Sequence, residues 1–124
     1  MKIKMPKLDQ KPVMSAIILD LASEWINIGK TLQEREYYLD FVTKAWNIGC
    51  LPLDQREVEI QTILSLFKRT GANKKDIQSL EENMRHFISE KDKRYPTINK
   101  LIAYGQIQVN NGQESVYIAS FPSA

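Results

Sequence analysis

The sequence predicts an α+β protein, mainly α, in which four antiparallel helices form an N-terminal body and a β-hairpin follows at the C-terminal end. Three observations predict it. Gly29, Gly49 and Gly71 each close an apolar stretch of helical period, and each is followed within a few residues by a polar helix-starting residue, Thr31, Asp54 or Asn73. After Tyr95-Pro96 the helical period stops, because the residue before proline avoids the helical region. The last part of the chain then alternates around Asn111-Gly112, a pair suited to a type I′ turn whose two central positions both need positive φ.

The first helix is expected over about 13–28, with Met14, Ile17, Ile18, Leu21, Ala22, Trp25 and Ile28 forming a wide apolar stripe and Asp20, Ser23, Glu24 and Asn27 on the wet side. The second, about 32–48, opens on Thr31 and Glu34 in capping-box spacing and carries Tyr38, Phe41, Val42, Ala45, Trp46 and Ile48 inward. A short Gly29–Thr31 link sets these two antiparallel. The third, about 54–70, repeats the entry device with Asp54 as cap and Glu57 three residues on, and turns Val58, Ile60, Ile63, Leu64 and Phe67 inward. The fourth, about 73–94, starts at Asn73, places Asp76 where the helix dipole favours it, and buries a narrow seam of Ile77, Leu80, Met84, Phe87 and Ile88. Lys91 and Lys93 suit its C-terminal end.

A short internal echo links Asn27-Ile28-Gly29 and Leu32–Glu36 to Asn47-Ile48-Gly49 and Leu53–Glu57, with Arg35 and Arg56 in matching places. Helices that end at glycine before a capped helix produce such similarity from local physics alone, and two copies fall short of the repeats a solenoid needs.

The hairpin strands are expected over about 101–109 and 114–121, with Val109 facing Glu114, Ile107 facing Val116 and Gly105 facing Ile118. Strand alternation then turns Leu101, Ala103, Ile107, Val116 and Ile118 toward the helices. It turns Ile102, Tyr104, Gln106, Tyr117 and Phe121 outward, a face too apolar to rest in water. A lone two-stranded ribbon is marginal and has two open edges, so it must lie on the helices, gain strands from another chain, or both.

Composition bounds the class. With 124 residues, 43% hydrophobic and 26% charged, the chain is one ordinary folded domain, and no apolar run approaches the ~20 residues that span a bilayer. We expect a basic flexible tail over 1–11 and a single domain over 12–124. The tail holds a net charge of +3, so the rest of the chain is close to neutral. No apolar signal region with a small-residue cleavage site follows the tail, and the single cysteine, Cys50, suits a reducing compartment. The expected location is cytoplasmic.

The chemistry is sparse. His86 is the only histidine, which excludes His-rich metal sites, and a di-metal carboxylate bundle would need two Glu-x-x-His motifs where Asn83 stands instead. Glu82, His86 and Glu90 share one face of the fourth helix, a spacing common on solvated helices. Cys50, between Gly49 and Leu51-Pro52, has no cation nearby in sequence to activate it and reads as a small buried hydrophobe. Trp25 and Trp46, at helical spacing, read as core rather than as pocket walls. No phosphate-binding glycine loop is present. We expect no catalytic residue, no metal and no cofactor.

Helices 54–70 and 73–94 with their short turn invite comparison with a helix-turn-helix DNA reader. The mixed surface of Asp76, Glu81, Glu82 and Glu90 with Lys74, Lys75 and Arg85 argues against nucleic acid, because a recognition helix is usually basic. The expected function is a small protein-interaction or regulatory domain without catalytic activity. Its partner would be another protein or a second copy of the chain, and its candidate surface is Ile102, Tyr104, Gln106, Tyr117 and Phe121. The alternatives are a nucleic-acid-associated regulator using the third and fourth helices, and an enzyme with an unrecognised site.

Overall fold

A computed structural model describes residues 14–121 of the chain. The elements follow in the order α1 (Met14–Ile28), α2 (Leu32–Gly49), α3 (Leu53–Arg69), α4 (Lys74–Arg94), β1 (Ile102–Asn110) and β2 (Gln113–Ser120). The two strands form one antiparallel sheet. Residues 1–11, expected as a basic tail, lie outside the described residues.

The helix starts show which local signals operate. Thr31 Oγ1 accepts from the Glu34 backbone N–H at 3.1 Å, and the Glu34 carboxylate reaches back to the N–H of Lys30 at 3.4 Å, one residue earlier than in the standard capping box. Asn73 caps α4, its side chain accepting from the Asp76 N–H at 2.8 Å. α3 departs from expectation, since Pro52 holds the cap position with no side-chain bond and Asp54 lies inside the first turn. The extended backbone of Pro52, with its carbonyl accepting from Gln55 N–H at 2.9 Å, starts the helix one residue early.

The described residues fall into two compact units, 14–44 with 100–121 and 45–99. In the first unit the buried apolar side chains come from α1, the first part of α2 and the hairpin. Ile18, Ile26, Leu39 and Val42 are wholly buried, with Ile102, Ile107 and Val116 contributed by the strands. α1 runs beside β2. Its buried stripe is Met14, Ile17, Ile18, Leu19, Ala22 and Ile26, whereas Ile28 is exposed and Leu21 and Trp25 are half-buried. α1 is apolar on so much of its circumference that periodicity alone does not orient it.

In the second unit α3 and α4 stay side by side far from their connecting turn, with Arg56 and Glu57 near the start of α3 meeting Asp92 and Arg85 late in α4. This is an antiparallel helical hairpin, not the 90–120° crossing of a helix-turn-helix. Ile60, Leu64, Ile77, Met84, Phe87 and Ile88 are buried, and Trp46 is wholly enclosed. Val58, expected inward, is exposed.

Of the three helix-closing glycines only Gly71 takes a left-handed conformation, at φ +88°. Gly29 and Gly49 answer to close approach instead. A Cβ at Gly29 would stand 2.8 Å from the backbone N of Arg35, and one at Gly49 would stand 2.7 Å from Cδ of Lys91.

The internal echo has a structural counterpart. Arg35 donates to the Gly29 carbonyl at 3.0 Å and pairs with Glu114, and Arg56 donates to the Gly49 carbonyl at 2.8 Å and pairs with Asp92. Each arginine thus satisfies the last carbonyls of the preceding helix and fastens that end to a distant carboxylate.

Candidate interaction surface

The hairpin turns at Asn111 (φ 51°) and Gly112 (φ 77°), both in the left-handed region, as a type I′ turn requires. The register is the expected one near the turn: Val109 opposite Glu114, Ile107 opposite Val116 and Gly105 opposite Ile118. Gly105 sits where a Cβ would press on Leu39 and Thr43 of α2 at 3.0 and 3.1 Å, so α2 covers this face of β1 closely.

The base of the hairpin corrects the expectation. Ile102 pairs with Ser120 but Tyr104 pairs with Ala119, so one extra residue, Ala103, bulges from β1. That insertion reverses the alternation, burying Ile102 to 2% exposure and leaving Leu101 and Ala103 outside. Ile102 therefore drops out of the candidate surface. The other four members, Tyr104, Gln106, Tyr117 and Phe121, are exposed, with Tyr104 and Tyr117 packed ring to ring at 6.1 Å. Exposed Leu101 and Val109 extend the apolar character, and Phe121 N–H donates to the Leu101 carbonyl at 2.9 Å.

Arg35 fixes the hairpin from the helical side. Its Nε meets Glu114 Oε1 at 2.7 Å and a second nitrogen meets the other carboxylate oxygen, a bidentate fork that holds the guanidinium more firmly protonated than usual. Glu114 is the one charged residue in β2, and this fork neutralises it.

Lys91, expected to suit the C-terminal end of α4, is 1% exposed. Its ammonium lies 4.6 Å from the Trp46 ring centre and donates to Asn99 Oδ1 at 3.2 Å. Burial pulls its pKa below the ordinary 10.5. Cys50 is half-buried, and burial raises its thiol pKa, outweighing the field of Lys91 and Arg56 that the sequence did not bring near it. Glu90 is held by Arg94 at 2.8 Å, which lowers its pKa, and among the described residues no three of His, Cys, Asp and Glu gather as a metal set. Between α3 and α4 lies an open groove of about 330 Å³ lined by Leu53, Ile60 and Ile88 and crossed by the Arg56–Asp92 and Arg85–Glu57 pairs.

Lys91 gives a testable sign. In the unfolded chain the amine titrates near 10.5 and in the fold lower, so the unfolded state binds more protons between the two values and stability rises with pH across that window. Lys91→Met removes the buried charge and is expected to match or exceed the wild type at pH 7, by up to about 1 kcal/mol. The gap should close as pH approaches 10.5, as read by denaturant titration of both proteins.

No family model, curated protein or solved structure matches the chain. Its surface is therefore read from its own chemistry. Among the described residues no helix is long and apolar enough to cross a membrane. Among the described residues the hairpin presents an exposed aromatic face, with Tyr104, Tyr117 and Phe121 each about half exposed.

Proposed function

We propose that this protein is a small cytoplasmic interaction domain without catalytic activity, which associates through its C-terminal hairpin. The observation that carries this reading is the exposed Tyr104–Tyr117 pair, flanked by Gln106 and Phe121, on a ribbon of only two strands. Aromatic side chains with a polar tip are favoured at interfaces because they bury a large area at small entropic cost. The helices hold the other face of the ribbon through Leu39, Thr43 and the Arg35–Glu114 fork, so the outward face is presented rigidly. β1 carries no charged residue and the one charge of β2, Glu114, is paired with Arg35, which favours burial of the ribbon against a partner.

The test is a pair of lysines, Gln106→Lys with Gln108→Lys, on exposed positions of β1. They guard both the outward face and the adjoining edge by charge while leaving the strand's own pairing intact. Sedimentation analysis is expected to show association for the wild type, and a dissociation constant raised about 100-fold or more for the variant, since like charges brought together cost several kcal/mol. Equal association of the two proteins would remove the hairpin from the interface.

A further inference from the structure

The two edges of the hairpin are unlike. β2 runs beside α1 and carries Glu114, whereas the nine residues of β1, Ile102–Asn110, include no charged residue and no proline. Natural proteins block a free edge with lysine, proline, a bulge or a covering element. β1 has one such device, the bulge at Ala103, and it lies at the base. From Tyr104 to Asn110 the strand is unguarded.

The turn dictates which backbone groups are free. In a two-residue hairpin the residues flanking the turn exchange hydrogen bonds, here Asn110 with Gln113, and pairing then alternates along the strands. Gln108, Gln106 and Tyr104 face β2, so the N–H and C=O of Val109, Ile107 and Gly105 point away from it. Among the described residues no backbone group bonds to the outward N–H of these three.

We infer that the partner is a second copy of this chain, joined edge to edge through antiparallel β1 strands into a four-stranded sheet. This rests on the reading of the hairpin as the interaction surface. A two-fold axis at Ile107 sets Ile107 against its own copy and Gly105 against Val109 of the other, so each outward donor meets an outward acceptor. The same axis sets Gln106 opposite Gln108 of the other copy, polar against polar with no repulsion. Both copies keep their helices on the same side of the joined sheet, because residues opposite one another in a ladder share a face. The ribbon thereby reaches the strand number at which sheets become stable.

Val109→Pro separates this geometry from packing through the aromatic face. Proline at an outward position removes the donor that a second copy needs without breaking the β1–β2 ladder. The symmetric dimer loses two hydrogen bonds, and its dissociation constant is expected to rise about 30-fold or more, while Tyr104→Ser with Tyr117→Ser, which keeps every backbone donor, weakens the dimer by less than Val109→Pro does. A dimer that survives Val109→Pro but not the serine pair overturns the edge pairing and leaves the hairpin surface standing. A dimer that survives Val109→Pro, the serine pair and the lysine pair overturns both readings, as does a wild type that stays monomeric. A readout that needs no variant is amide exchange of the wild type. Gly105, Ile107 and Val109 should become protected as concentration rises, and exchange independent of concentration overturns the edge pairing.

Discussion

Trp46→Ala should cost about 3–5 kcal/mol, the range for emptying a large aromatic site from a core. The side chain is wholly enclosed, and it sits in the helical unit of residues 45–99 rather than at a surface. Two losses combine. The cavity removes packing around the last turns of α2, and it also removes the ring on which the Lys91 ammonium rests at 4.6 Å. Lys91 would then face the void, held by its hydrogen bond to Asn99. Thermal unfolding should fall by roughly 10–20 °C. A loss under about 1 kcal/mol would mean that Trp46 is not the centre of this unit.

Arg56→Ala is the second large effect, expected at about 2–3 kcal/mol. The Arg56 side chain is 16% exposed and its guanidinium does three things at once. It donates to the carbonyls of Gly49 and Leu51 at 2.8 and 3.0 Å, and it forks onto Asp92 at 2.7 and 3.2 Å. Asp92 is 43% exposed and rehydrates when the partner is removed, so the ion pair is the smaller part of the loss. The larger part is two carbonyls, that of Gly49 at the end of α2 and that of Leu51 just after it, left without this donor. Arg56→Lys should recover little, because one ammonium cannot serve three acceptors in a fixed fork. Denaturant titration of both variants checks this; full rescue by lysine would show that charge alone matters at the site.

Much of this fold was legible because helix ends and the hairpin turn are decided by local chemistry. Thr31, Asn73, Gly71 and Asn111-Gly112 each act within a few residues of chain, so their signals survive in the sequence. What failed depends on distant partners. Simple alternation turns Ile102 outward, and one bulged residue at Ala103 reverses the parity. The burial of Lys91 is invisible in the sequence because nothing in its own neighbourhood reveals that Gly49 makes room for its stem or that Trp46 lies beneath it. Val58 and the outer flank of α1 were misassigned because period identifies an apolar face but not which part of it meets a neighbour.

The candidate surface was legible in its aromatic members and not in its edge chemistry. Tyr104, Gln106 and Tyr117 follow from alternation above the bulge, and Phe121 from the alternation of the unbulged second strand carried one residue past its end. The Arg35–Glu114 fork, which leaves β2 neutral and pinned, joins residues far apart in sequence; the only hint was the matching of Arg35 with Arg56 in the internal echo.

The measurement that bears most directly on the account is the weight-average mass of the wild-type protein by sedimentation equilibrium, taken from about 1 µM to about 1 mM, the range that brackets weak but specific association. The account predicts a rise from the chain mass of 14.4 kDa toward twice that value, and no further, because the two-fold contact closes on itself. A mass that stays at that of one chain across the whole range would contradict it.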